Sequence, residues 1–246
     1  MSKIYFASDF HLGAPNYEES LIREKRIISW LDSIKADASH VYLVGDIFDF
    51  WFEYKESIPK GFIRFQGKLV ELLDAGIQVE FFTGNHDMWM FDYFTKELGI
   101  PVHREPIELN LNGKSIYVGH GDGLGPGDYG YKFLKKVFSN KICQWLFARL
   151  HPNFGIGLAN YSSRSSRAHT TGEDVYLGDD KEWLHIYAND LLDTKHYDYF
   201  VFGHRHLPID KVLKNGKSKY INLGDWIVYN TYAVYDGDKI ELKTYD

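Results

Sequence analysis

Five short apolar runs in this chain each end on a small polar cluster, and that repetition limits the fold more than any other feature. Ile4 to Ser8 runs into Asp9-Phe10-His11. Val41 to Val44 runs into Gly45-Asp46-Ile47-Phe48-Asp49, and Val79 to Thr83 into Gly84-Asn85-His86-Asp87. Ile116 to Val118 runs into Gly119-His120, and Tyr199 to Phe202 into Gly203-His204-Arg205-His206. Short apolar runs bounded by turn residues read as buried strands. Between the first three lie residues 17–35 and 62–75, whose apolar positions recur at helical spacing; the second of these stops at Gly76. A βαβαβ order predicts a largely parallel sheet covered by helices, with ligands bound outside the carboxyl ends of its strands. The polar clusters lie at those ends.

The second half is richer in hairpins. Asn112-Gly113, Asn215-Gly216 and Asp236-Gly237 each separate two strand-like runs. Such dipeptides favour hairpins because a type I′ turn needs positive φ at both central residues. Further strands are expected near 219–223, 231–235 and 239–245. The order predicts an α/β fold of two packed mixed sheets with helices outside. It shows neither an internal repeat nor a low-complexity linker.

Residues 125–190 break this pattern. They carry no clear strand, and 131–150 read as one helix with Leu134, Val137, Phe138, Ile142, Trp145 and Leu146 on a broad stripe. The stretch from Gly130 to Thr170 has seven of the chain's 28 basic residues and none of its 34 acidic ones. That asymmetry marks a separate element, a helical cap (125–190) inserted into a core formed by 1–124 and 191–246. The net charge of -6 argues against a general nucleic-acid binder. The one cysteine, Cys143, excludes an internal disulfide. The start lacks the pattern of a signal peptide, and no apolar run is long enough to span a membrane. A cytoplasmic protein is expected, and no obligate protein partner is inferred.

The clusters offer Asp9, His11, Asp46, Asn85, His120, His204 and His206 as donors: carboxylate, amide and imidazole, without thiolate. This mixture suits manganese, iron, zinc or cobalt and excludes a cysteine-zinc site. Seven ligands exceed what one ion with open positions needs. They fit two ions that share a bridging carboxylate, an arrangement that clamps the attacking and leaving oxygens of a phosphoryl displacement.

The pattern D-x-H, G-D-x-x-D, G-N-H-D/E, G-H and G-H-x-H, spread from Asp9 to His206, resembles the calcineurin-like metallophosphoesterase family. The resemblance implies an αββα sandwich. It implies that Asp9, His11 and His206 hold a first metal, that Asp46 bridges, and that Asn85, His120 and His204 hold a second, with manganese the expected ion. His86 would then stand beside the scissile phosphate, oriented by Asp87, with Asp49 behind the ligands. Residues Phe50-Trp51, His120-Gly121-Asp122-Gly123-Leu124 and Leu223-Gly224-Asp225-Trp226, with the Arg- and Ser-rich insert, are similar to the UDP-2,3-diacylglucosamine hydrolase branch of that family. The branch implies a UDP-linked glycolipid substrate. It implies substrate contacts from Asp128, Tyr131, Ser163, Arg164 and Arg167, and a cap that holds acyl chains. Exposed rings and lysines on that cap would touch the cytoplasmic face of the inner membrane. One residue departs from the branch: characterised members carry Arg after the metal-binding Asn, and this chain has His86. Arg is a permanent bidentate cation, whereas His titrates. A sister branch cleaving another nucleotide pyrophosphate or phosphodiester is therefore the alternative. An enzyme for soluble nucleotides or phosphoproteins, a catalytically silent scaffold and a nuclease are further rivals.

Overall fold

A computed structural model describes residues 2–127, 129–159 and 175–246. The first sheet has six strands in the order β11 (Ile240–Thr244), β10 (Thr231–Tyr235), β1 (Lys3–Ala7), β2 (Ala38–Val44), β3 (Gln78–Phe82) and β4 (Val102–His103). The second has five, in the order β5 (Ile107–Leu111), β6 (Lys114–Gly119), β7 (Tyr199–Phe202), β9 (Lys219–Leu223) and β8 (Pro208–Val212). β1 to β4 run parallel, as do β6, β7 and β9, and the outer strands join them antiparallel.

Alternation along the strands sends successive side chains to opposite layers. Phe6, Tyr42, Val44 and Phe82 face the second sheet and meet Ile116, Val118, Val201, Ile221 and Leu223. Tyr5, Ala7, Val41, Leu43, Val79 and Phe81 face the other way. There they meet Ile27, Trp30, Leu31 and Ile34 of helix α1 (Tyr17–Ile34), Phe65, Leu69 and Leu72 of α2 (Ile63–Asp74), and Phe94 of α3 (Tyr93–Leu98). A one-residue slip would exchange these two sets, so two-sided burial fixes the register. The expected αββα layering is thus present.

The hairpins differ among themselves. Asn112 and Gly113 both take positive φ (51° and 83°), which gives the two-residue turn that their sequence predicts. At 215–216 and 236–237 only the glycine does so. Those loops are longer, and the Asn215 and Asp236 side chains accept backbone amides within them.

The insert also differs from its expectation. Residues 131–150 are not one helix: α4 (Tyr129–Ser139) ends, and Asn140 caps a new helix, α5 (Lys141–Phe147), by accepting the amides of Ile142 and Cys143. Neither helix has a buried residue, and Leu134, Ile142, Trp145 and Leu146 of the predicted stripe are exposed. A further helical segment covers 152–159. The boundary placed at 190 falls inside helix α6 (Trp183–Leu192). Leu184 and Ala188 of α6 lie with Phe200, Phe202 and Tyr220 of the second sheet, so α6 is the outer helical layer of the sandwich and no part of a cap.

Helix α1 also fixes the first polar cluster. Asn16 caps it by accepting the Glu19 amide, while the Asn16 amide group donates to the Glu19 carboxylate. One turn later the buried Arg23 donates to the carbonyls of Phe10 (2.7 Å), His11 (2.6 Å) and Ala14. A loop that would otherwise bury three carbonyls is held by one guanidinium. Arg23→Met leaves those acceptors unpaired, at a cost of about 3 kcal/mol or more. Thermal unfolding should then fall by about 6–12 °C for a chain of this size, measured by calorimetry on the metal-free protein.

Candidate metal centre

The carboxyl ends of both sheets converge on one set of donors. The loops after β1 and β2 are zipped together beyond the strands: Asp9 N–H donates to Gly45 O, His11 N–H to Asp46 O, Leu12 N–H to Ile47 O and Asp49 N–H to Leu12 O, all at 2.9–3.0 Å. In the second sheet the loops after β6 and β7 are joined likewise, Gly203 N–H donating to His120 O (3.0 Å).

Two carboxylates follow one scheme, in which a backbone amide takes one oxygen and the other is delivered to the site. His204 N–H donates to Asp9 Oδ2 (3.1 Å), and Asp9 Oδ1 is buried without a hydrogen bond, 3.2 Å from His206 Nε2. His86 N–H donates to Asp46 Oδ1 (2.8 Å), and Asp46 Oδ2 lies 3.8 Å from His11 Nε2 and 3.4 Å from His120 Nε2. A single oxygen of Asp46 therefore faces two groups. Asp9, His11, Asp46 and His206 form one, and Asp46, His120 and His204 form the other, each with its donor atoms mutually within 4.8 Å. Asn85 Oδ1 joins the second, 2.9 Å from His204 Nδ1 and 3.3 Å from His120 Nε2.

These separations are those of atoms around an ion. Ligands about 2.1 Å from a metal stand about 3.0–3.4 Å from one another. His11 Nε2 and His206 Nε2 are 3.1 Å apart. The charge balance agrees. Burial alone would lower His120, yet the Asp46 carboxylate raises it to about 10. Burial opposes the ionisation of Asp46, and the imidazoles around it, His120 foremost, hold it well below the usual range. Buried carboxylates draw a cation, and where no ion is present a proton on imidazole takes that place. The donor set thus fits two divalent cations sharing Asp46.

Backbone strain concentrates here. Asp9, His11, Asp46, His204 and His206 all have positive φ, between 43° and 68°. They are five of the eight non-glycine residues with that conformation among the described residues. Asp and His tolerate it better than most, and such outliers cluster at functional sites. The motif glycines answer a related need. A Cβ on Gly84 would overlap Asp46 Oδ1 and sit 2.6 Å from the Asp46 amide nitrogen, and one on Gly45 would lie 2.6 Å from His120 Cγ.

His86 and its neighbours depart from expectation. The His86 ring stands edge-on to His11, with centroids 4.9 Å apart, and its Nδ1 donates to the carbonyl of Asp49 (3.0 Å). A carbonyl only accepts, so this bond fixes the Nδ1–H tautomer. Burial pushes the ring down to about 4. Asp87, expected to orient His86, is instead fully buried on backbone amides: Ile47 (2.8 Å), Phe48 (3.3 Å) and Gly84 (2.7 Å). It joins the second and third polar loops. Burial and the Asp46 charge raise it to about 7. The correction has a simple cause: a carboxylate at a strand end meets amides on both sides before it meets a side chain.

Outer supports surround the donors. His120 Nδ1 bonds Val44 O (2.8 Å), Asp49 lies 3.6 Å from His11 Nδ1, and Asp225 lies 3.9 Å from His206 Nδ1. Asp225 lies far from His206 along the chain, and that separation hides this contact in the sequence. Tyr131 donates its hydroxyl to the buried Asp122 (2.6 Å), and its ring is 6.3 Å from that of His204. Asp128, Ser163, Arg164 and Arg167 lie outside the described residues.

A family model for calcineurin-like phosphoesterases matches residues 2–208. The chain belongs to the calcineurin-like phosphoesterase family. It is accordingly a metallophosphoesterase and a hydrolase. It is 40% identical, over 99% of its length and 97% of the relative's, to a UDP-2,3-diacylglucosamine hydrolase of Porphyromonas gingivalis. A protein of the same name from a Shewanella species is 29% identical over 97% of this chain and 95% of the relative. In fold, a hypothetical protein of Pyrococcus horikoshii covers all of this phosphoesterase with 89% of its own chain, at a TM-score of 0.53 and 11% identity.

The glycine contact gives a direct test. Gly84→Ala should displace the Asp46 carboxylate and reduce bound metal from two ions to one or none per chain, with fold retained by circular dichroism, as read by elemental analysis after equilibration with manganese. Asp46→Ala should abolish turnover and the pairing of the ions, read by kinetics and by loss of the exchange-coupled manganese signal in electron paramagnetic resonance.

Proposed function

We propose that this phosphoesterase hydrolyses the pyrophosphate of UDP-2,3-diacylglucosamine, releasing UMP and 2,3-diacylglucosamine 1-phosphate. The observation that carries the proposal is the 40% identity to a hydrolase of that name over nearly the whole of both chains, insert included. The oxygen of water adds to the α-phosphorus, the bond from that phosphorus to the bridging oxygen breaks, and the lipid phosphate leaves. Asp9, His11, Asp46 and His206 would hold one divalent ion, and Asp46, Asn85, His120 and His204 the other, with manganese the expected metal. Bound there, the two ions would act as Lewis acids on the phosphoryl oxygens and lower the pKa of the attacking water.

His86 has a task of its own. Its Nδ1 proton is committed to Asp49, so Nε2 is the nitrogen that would meet substrate. An anionic pyrophosphate beside it offsets the burial that keeps the ring neutral, draws a proton to Nε2, and gives the departing oxygen a donor. His86→Ala should lower kcat about 10²–10⁴-fold while leaving two ions bound, measured by steady-state kinetics alongside metal analysis.

The lipid half of the substrate has a matching surface. A groove of about 980 Å³ opens beside Asp49, lined by Leu12, Phe50, Ile58 and Phe62 of the core and by Pro152 and Ile156 of the insert. Its walls are predominantly apolar, with Glu24 and Lys60 among them, and it is within the size range of ligand sites. The residues from 125 to about 182 form the cap in this reading, and Tyr131 with Asp128, Ser163, Arg164 and Arg167 contacts the head group. Phe133, Ile142, Trp145, Leu146 and Phe154 are exposed on the insert with Lys136, Lys141 and Arg149 among them. That composition suits an anionic bilayer surface. No helix among the described residues is long and apolar enough to cross a membrane. In the proposed role the exposed rings and cations of the insert would touch the cytoplasmic face of the inner membrane.

His86 in place of the branch's Arg favours one second reading, a sister enzyme that cleaves another nucleotide pyrophosphate or a phosphodiester. Release of UMP with manganese supplied separates the two. Turnover of UDP-2,3-diacylglucosamine should exceed that of UDP-N-acetylglucosamine and of an aryl phosphodiester by at least about tenfold, since two acyl chains in an apolar groove are worth several kcal/mol. Equal rates, or preference for the aryl ester, would favour the sister enzyme. Flotation with anionic liposomes tests the membrane contact, and a protein left wholly in the bottom fraction would refute it.

A further inference from the structure

The first residues of α6 wedge between the two loops that carry His120 and His204. Glu182, fully buried, accepts two hydrogen bonds from Arg205, from Nε to Oε1 at 2.6 Å and from Nη2 to Oε2 at 3.3 Å. Arg205 is the residue between the ligands His204 and His206, and only 3% of it is exposed. Its guanidinium also lies over the Trp183 ring, 4.6 Å from the centroid. Leu184 completes the wedge: a Cβ added to Gly121, beside His120, would meet its Cδ1 at 2.9 Å and His204 Cβ at 3.7 Å. These contacts come from the point where the chain returns from the insert.

The other root of the insert holds the first of these loops, the one that carries His120. Asp122, two residues past His120 and 5% exposed, accepts from Tyr131 (2.6 Å) and pairs with Lys135 (2.7 Å), both on α4. Lys135 also donates to the Asp122 carbonyl (3.0 Å). A Cβ on Gly125 would stand 2.6 Å from the Trp183 carbonyl, so the outgoing and returning strands of chain touch. The first ligand group is supported otherwise. Arg23, Asp49 and Asp225 brace it, and none of them belongs to the insert.

We infer that Arg205 and Glu182 are positioning residues for the second metal. With the Asp122 latch, they make the grip of His120 and His204 on that ion depend on the seating of both roots of the insert. Pairing a fully buried Glu with an Arg is a costly way to gain stability, because apolar residues of similar volume often serve as well. Its geometry does something those residues cannot: a two-point fork sets the direction in which the loop presents His204, whereas His206 is braced separately by Asp225. Loss of such outer supports typically costs about 10–100-fold in metal affinity. The inference rests on the reading of the site as a two-ion centre.

Manganese titration of the metal-free protein by calorimetry tests it, with metal-free thermal unfolding measured in parallel. Wild type should bind two ions, and His204→Ala identifies the step that belongs to the second group. Glu182→Gln and Arg205→Met should each weaken that step about 10–100-fold and leave the other within about threefold. The double variant Glu182→Leu/Arg205→Met should regain the wild-type unfolding temperature and keep the weakened second step. If the double variant binds both ions as wild type does, the pair is only packing and the inference falls. Should the buried variants not fold, Lys135→Met, at a half-exposed position, must weaken the same step, and unchanged binding there overturns the inference equally. A wild-type chain that takes up no manganese would instead overturn the two-ion reading.

Discussion

Each ligand group is divided between the two sheets, and the rest of the molecule depends on that division. Asp9 and His11 follow β1, Asp46 follows β2, and Asn85 follows β3, all in the first sheet. His120 follows β6, and His204 and His206 follow β7, in the second. Neither group is complete on one sheet alone. The distance between the two halves of each group is therefore set by the layer of Phe6, Val44, Val118 and Val201 between the sheets. Close-packed interiors transmit small changes in volume, so the core under the site acts as its gauge. Any ion held in common would also tie the sheets together, because the donors are brought into range only by folding.

Asp46 shows how little freedom this leaves. One of its oxygens is taken by the His86 amide, and the other faces both groups. The Gly84 backbone approaches so closely that no side chain fits. The Asp87 carboxylate, bonded to amides of both the second and the third loops, holds the third loop against the second from below. Arg23 ties the first loop to helix α1. Charge that would be costly alone is distributed so that each carboxylate or guanidinium meets several fixed dipoles.

The donors themselves were legible because each sits directly after an apolar run, where local pattern and chemistry coincide. The alternation of strands and helices in the first half was legible for the same reason. What the sequence hides is the company those donors keep. Arg205 reads as a filler between two histidines, and its partner Glu182 lies 23 residues earlier, at the end of the charged run Asp179-Asp180-Lys181 where it reads as one more solvated charge. Asp225, and the Tyr131 and Lys135 partners of Asp122, reach the site through folds of the chain that no period announces. The break at Asn140 was missed because helical spacing runs on through it, and only the capping side chain marks the new start. The partners of Asp87 are hidden because adjacency to His86 along the chain says nothing of which amides its carboxylate will face. The end of the insert was misplaced because α6 is as apolar as a cap helix would be, and its place on the second sheet is a matter of tertiary contact.

The left-handed backbone at five of the ligand positions carries a consequence for descent. A chain that lost its ions would lose the reason for Asp or His at those places, but the loops would still need positive φ there. Drift at such a site is channelled: Asn and Gly enter at little conformational cost, while β-branched residues are barred by the backbone itself. A relative that has given up catalysis would then keep the shape of these loops as a fossil, with Asn or Gly standing where Asp9, His11, Asp46, His204 and His206 stand here.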